Sequence, residues 1–98
     1  MKLVLNKRHG GFGLSEEAKK LYLQKKGIDS LDIENFCDWR INRQDKTLIK
    51  IVEELWDKAN GEYAYLVVVE IPDGCYYKVR DYDGFEQVYF SDSPIFER

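Results

Sequence analysis

The residues best placed to do chemistry lie together near the start of the chain, in Lys7-Arg8-His9-Gly10-Gly11-Phe12-Gly13-Leu14-Ser15. Three cationic or hydrogen-bonding side chains precede three glycines in four positions, and a hydroxyl closes the stretch. Glycine lets the backbone take positive φ or come close to another group. The unpaired N–H groups at the start of a following helix attract anions. Phosphate is therefore the chemistry such a loop could hold, with Lys7, Arg8, His9, the Gly10–Gly13 backbone and Ser15 as its contacts. The same pattern also describes a tight turn whose glycines let strand and helix pack closely. It is not a Walker A loop, because no G-K-S/T follows the glycines. Nor is it the G-x-G-x-x-G fingerprint, since Gly11-x-Gly13 lacks the third glycine.

His9 is the only histidine. A general base needs a partnered nucleophile, and Ser15, the nearest in sequence, is better used as a helix cap. Cys37 and Cys75 belong to no C-x-x-C or Cys/His spacing, so no metal or cofactor site is legible. Both are expected to be reduced and buried. These absences point to binding rather than catalysis. The second feature is aromatic: Tyr76 and Tyr82 alternate with Lys78 and Arg80 on one face of a strand. Such a face can stack a planar base or anchor a protein, and Phe12, Tyr76, Arg80 and Tyr82 join the loop as candidate ligand contacts. Alternatively these rings lie under the helices as core. Asp81, Asp83 and Glu86 read as a solvated hairpin tip.

Those residues need a scaffold, and 98 residues at 44% hydrophobic content suit one domain, 1–98, with a single core. No run approaches the eighteen apolar residues of a membrane span, and the start lacks a signal-peptide pattern, so a cytoplasmic protein is expected. The net charge of −3 hides an asymmetry: residues 1–26 carry +5 and residues 27–98 carry −8. A basic end on an acidic body can steer an anionic ligand to one face, but argues against general DNA binding.

Met1–Leu5 reads as a strand. Ser15 caps a helix over 15–26, with Ala18, Leu21 and Tyr22 as its apolar stripe and Gly27 as its stop. Residues 28–44 read as a covering segment containing Leu31, Ile33, Phe36 and Trp39, in which Arg40 and Arg43 would pair locally with Asp38 and Asp45. Asp45 caps a second helix with Leu48, Ile51, Val52, Leu55 and Ala59 inward, ended by Asn60-Gly61. Tyr63–Ile71, Cys75–Tyr82 and Phe85–Phe90 follow as strands, separated by Pro72-Asp73-Gly74 and Asp83-Gly84. Beyond them is a tail whose Ile95 and Phe96 are expected to dock. The expected architecture is α+β: an N-terminal strand, two helices on one face of a sheet, then a three-stranded antiparallel meander. The first strand should pair with one of the last three.

Lys2-Leu3-Val4-Leu5-Asn6-Lys7, with Gly10-Gly11-Phe12-Gly13-Leu14-Ser15, resembles the K-L-V-I-N-K-x-x-G-G-F-x-L-S opening of a group of small phage and prophage proteins of unassigned function. The resemblance extends to Val52–Leu55, Ala59-Asn60-Gly61, Val69–Asp73 and Tyr82-Asp83-Gly84. The group's Cys-Tyr pair stands here as Arg8-His9, which removes a thiol and makes the loop more basic. The resemblance implies a phage accessory protein acting in the infected host's cytoplasm. By analogy with other small acidic phage proteins, it would act by binding. Its partner would be a phosphate-bearing cyclic nucleotide signal, or else a host defence enzyme or CRISPR effector blocked by acidic mimicry of nucleic acid. The sequence does not reveal the oligomeric state, and a second copy of the chain stays among the candidate partners.

Overall fold

The computed structural model describes residues 1–28 and 36–93. Its first strand, β1 (Lys2–Asn6), is apolar at successive positions because both of its faces are covered; Leu3, Val4 and Leu5 are all fully buried. β1 pairs antiparallel with β2 (Leu66–Glu70), placing Lys2 opposite Glu70 and Asn6 opposite Leu66. β3 (Tyr76–Tyr82) and β4 (Phe85–Ser91) form a separate antiparallel hairpin with Tyr82 opposite Phe85. Its turn is Asp83-Gly84, and φ values of 55° and 91° suit the two-residue loops that match strand twist.

The expected three-stranded meander is therefore corrected to two two-stranded sheets. β2 stands apart from the hairpin as the sheet partner of β1, with Leu66 buried, Val67, Val68 and Val69 half-buried and Glu70 exposed. β3 alternates exposed and half-buried residues, which suits a hairpin with one wet face. The strand expected over Tyr63–Ile71 starts only at Leu66. Before it, the Ala64 N–H closes a turn onto the Gly61 carbonyl, and the Tyr65 N–H donates to the Asn6 side chain.

α1 (Glu16–Lys26) follows its local signals. The Ser15 hydroxyl accepts from the Ala18 N–H at 3.1 Å, and Gly27 closes the helix at φ 73°. Ala18, Tyr22 and Leu23 are buried, with Leu21 partly so. α2 (Lys46–Leu55) starts at Asp45, whose carboxylate accepts from the Thr47 and Leu48 N–H groups. It buries Leu48, Ile51 and Val52 against Val4, Leu66 and α1. α2 was expected to continue through Ala59, but it ends at Leu55. Trp56 takes φ 53° and a 3-10 turn spans Trp56–Ala59. The tighter turn buries Ala59 and brings its carbonyl to the Ser15 N–H at 2.9 Å.

A further 3-10 turn covers Asp38–Arg40. Leu31, Ile33, Ile95 and Phe96, to which covering or docking roles were assigned, lie outside the described residues. Cys37 and Cys75 are half-buried rather than buried, and no disulfide joins them. Among the described residues no helix is long and apolar enough to cross a membrane.

Asp45 also ties the helices together. It accepts from the Tyr22 hydroxyl at 2.8 Å and pairs with Lys26 at 3.1 Å, so the local pairing with Arg43 expected from sequence is replaced. Burial alone would raise its pKa, but hydrogen bonds from Tyr22, Lys26 and the Leu48 and Thr47 amides hold it below the ordinary carboxylate value. A depressed folded-state pKa contributes stability in full above the unfolded-state value, and that contribution fades as pH falls through the folded one. Asp45→Asn should therefore flatten the acid limb of stability against pH, relative to the parent, in urea titrations from pH 6 to pH 2. An unchanged limb would mean that Asp45 adds nothing there.

Candidate functional site

The candidate site is built outward from Asn6, the wholly buried last residue of β1. Its Nδ2 donates to the Gly84 carbonyl at 2.6 Å and to the Arg8 carbonyl at 2.8 Å. Its Oδ1 accepts from the Tyr65 N–H at 2.8 Å. One side-chain amide thus joins the glycine loop, the approach to β2 and the β3–β4 turn, with both donors and one acceptor position used inside the fold.

The outer edge of β1 is closed by two further acceptors. The Val4 N–H donates to the Arg43 carbonyl at 2.9 Å, and the Asn6 N–H to Glu86 Oε1 at 3.0 Å. Glu86, read from sequence as part of a solvated tip, is instead buried, with its side chain 4% exposed. The Arg43 guanidinium meets it with Nη2 at 2.8 Å from Oε2 and Nε at 3.3 Å from Oε1. The local pairing expected for Arg43 is thereby corrected. It crosses to β4 because Glu86 and the edge amide of Asn6 share one enclosed place, which needs a cation. The same guanidinium lies 3.7 Å from the centroid of the Phe12 ring. That covers one face of the ring considered for base stacking.

The glycines of the loop serve the hairpin. Gly10 and Gly11 hold φ of 127° and 113°, and the Gly10 N–H donates to the Asp83 carbonyl at 3.0 Å. A Cβ on Gly84 would stand 2.2 Å from the Gly11 nitrogen, so the turn and the loop are in backbone contact. The Leu14 N–H donates to the buried Asp38 carboxylate, and the Gly13 carbonyl accepts from the Gly61 N–H. Ser15 donates its hydroxyl to the Lys58 carbonyl at 2.5 Å while capping α1. The amides of Gly10, Leu14 and Ser15 and the Ser15 hydroxyl are thus engaged within the fold, as the close-packing alternative describes.

The loop's basic side chains are arranged differently. Lys7 Nζ donates to the Glu86 carbonyl at 2.7 Å and lies 5.2 Å from the Phe85 ring centroid. His9 is exposed, its ring 5.4 Å from Phe85 and 6.0 Å edge-on from Tyr82. Its Nδ1 stands 3.9 Å from the exposed Asp83 carboxylate. Lys7, His9, Tyr82 and Phe85 therefore gather at one surface, and Arg8 is exposed between Lys7 and His9 in the chain.

Tyr76, Lys78, Arg80 and Tyr82 are all exposed on one strand face, and the reading of these rings as core is not met. Only Tyr82 meets the loop. Tyr76 is at the other end of β3, six residues or about 20 Å away at strand rise. Arg80 lies 5.7 Å from the Tyr89 ring. Phe85 escaped sequence reasoning, although its position opposite Tyr82 across the Asp-Gly turn carried the signal.

Two concave surfaces lie elsewhere. A groove of about 440 Å³ is lined by Met1, Lys2, Gln44, Lys46, Ile49, Lys50 and Glu53. Another, of about 530 Å³, runs along Val52, Glu53, Trp56, Asp57 and Tyr65–Val68. Among the described residues no group of three His, Cys, Asp or Glu side chains could hold a metal ion. Comparison of the chain with models of known families, with curated proteins and with solved structures finds no match.

Proposed function

We propose that the protein binds a phosphate-bearing nucleotide signal without turning it over, as a counter-defence protein of the phage group its N-terminus resembles. The observation that carries this reading is the gathering of Lys7 and His9 with Tyr82 and Phe85 at one surface, with the exposed Arg8 between Lys7 and His9 in the chain. Arg8 and His9 would hold phosphate oxygens. Tyr82, 77% exposed, offers its ring to a planar base. The acidic remainder of the chain keeps longer polyanions away.

Native mass spectrometry with a panel of cyclic di- and trinucleotides and cyclic ADP-ribose-type signals tests this. The expected result is an added ligand mass at fixed stoichiometry, lost in Arg8→Ala and weakened about tenfold or more in Tyr82→Ala, roughly one good stacking contact. Bare protein across the panel overturns the reading.

A second reading, direct inhibition of a host defence enzyme or CRISPR effector by acidic mimicry of nucleic acid, draws on the −8 balance of residues 27–98 and on the exposed, large side chains of Trp39, Trp56, Tyr63 and Tyr65. It predicts steeply salt-dependent capture of a host protein with no affinity for nucleotides.

A further inference from the structure

We infer that the free edge of β2 is a self-association site that takes the β2 strand of a second copy of this chain, independently of the nucleotide reading. The Lys7 N–H donates to the Tyr65 carbonyl and the Ile71 N–H to the Met1 carbonyl, so the odd-numbered residues of this segment turn their polar groups toward β1. By alternation, the N–H and C=O groups of Leu66, Val68 and Glu70 point outward. Of these the Leu66 N–H is taken by Asn60 Oδ1 at 2.8 Å. The N–H groups of Val68 and Glu70 and the carbonyls of Leu66 and Val68 have no partner among the described residues.

That row complements itself. In an antiparallel pairing about a two-fold axis at Val68, the two Val68 residues exchange N–H···O=C bonds. Each Glu70 N–H then meets the Leu66 carbonyl of the other copy. The Leu66–Glu70 pair also exchanges two bonds, so on joining each Leu66 N–H trades Asn60 Oδ1 for the Glu70 carbonyl of the other copy. Val67 falls opposite Val69, and the two Glu70 carboxylates stand at opposite ends of the paired strands, so no like charges face each other. The product is a four-stranded sheet in the order β1–β2–β2–β1, in place of two-stranded sheets that are marginal alone.

The flank of this edge carries apolar and aromatic side chains together with the carboxylates of Glu53 and Asp57. The groove of about 530 Å³ follows it, with Trp56 and Tyr65 exposed and Val67 and Val68 half-buried. The edge carries none of the lysines, prolines or bulges that keep lone edges from pairing. Trp56 holds φ 53° and ψ −126°, a conformation costly for a bulky residue, with its side chain 77% exposed. The two-fold axis runs through the sheet, so both Trp56 side chains fall on the face that carries both α2 helices, over the junction.

Size-exclusion chromatography with light scattering tests this on the intact chain. The parent should be a dimer. Glu70→Pro removes an outward N–H, which an edge strand tolerates, together with the carboxylate opposite Lys2, and Trp56→Gly suits the positive φ. Each should raise the dimer dissociation constant about tenfold or more, roughly 1.4 kcal/mol, with the far-UV circular dichroism of the monomer unchanged. Should Glu70→Pro misfold, Trp56→Gly decides. A monomer at the highest concentration reached, or a dimer that the folded variants leave intact, overturns the assignment. So does a monomer that pairs this edge with an unrelated extended peptide.

Discussion

Replacing Glu86 with alanine is expected to remove about 3–5 kcal/mol of folding stability, the cost of leaving a buried cation uncompensated. The side chains of Arg43 and Glu86 are 14% and 4% exposed, so water cannot easily replace the lost carboxylate. The Asn6 N–H also loses its acceptor, and β1 loses part of the cover on its outer edge. For a domain whose total stability is about 5–15 kcal/mol, this is a large fraction. Urea unfolding monitored by tryptophan fluorescence would measure it. A loss under about 1 kcal/mol, typical of an exposed pair, would contradict the burial described. The double variant Arg43→Met with Glu86→Leu should regain much of the loss, because a buried pair is often no more stabilising than apolar side chains of similar volume. The Asn6 N–H stays unpaired in that variant, so recovery should be incomplete.

Asn6→Ala is expected to cost about 3 kcal/mol, at roughly 1 kcal/mol for each of three buried hydrogen bonds. The loss has an address: the Tyr65 N–H and the carbonyls of Arg8 and Gly84 are stranded together. Amide hydrogen exchange should therefore accelerate at Tyr65 and at Gly10, whose N–H is bonded to the neighbouring turn residue Asp83. Asn6→Asp separates hydrogen bonding from volume. It keeps the acceptor for Tyr65 but turns a carboxylate oxygen toward two carbonyl oxygens, so it should destabilise at least as much as alanine. If aspartate were tolerated at neutral pH, the amide would not be the tie between loop and hairpin. Either substitution should also weaken the proposed nucleotide binding, because Tyr82 and Phe85 reach Lys7 and His9 only while the turn is docked.

The structure explains why the glycine-rich stretch looked like a phosphate loop. A loop that receives another backbone and one that receives a phosphate both need glycine at close approach. At Gly10 and Gly11 the approaching group is the chain's own turn, Asp83-Gly84. What the fold leaves exposed there is the side chains of Arg8, His9 and Tyr82, and the proposed function rests on these rather than on the amides.

By itself the sequence determined the local elements. Ser15, Gly27 and Asp45 mark helix ends through bonds to residues two to four positions away. Asp83-Gly84 sets a hairpin turn between immediate neighbours, and alternation along β3 marked which side chains share a face, though not that this face is exposed. Only the tertiary structure decided that β2 pairs with β1, that α2 stops at Leu55, and that Arg43 reaches Glu86 rather than Asp38 or Asp45. The Arg43–Glu86 pair joins groups 43 residues apart, and the β1–β2 register joins groups 60 to 68 apart. A buried carboxylate chooses its cation, and a strand its neighbour, by which partner the closed fold can bring to an otherwise unsatisfied group. No window of neighbouring residues contains that choice.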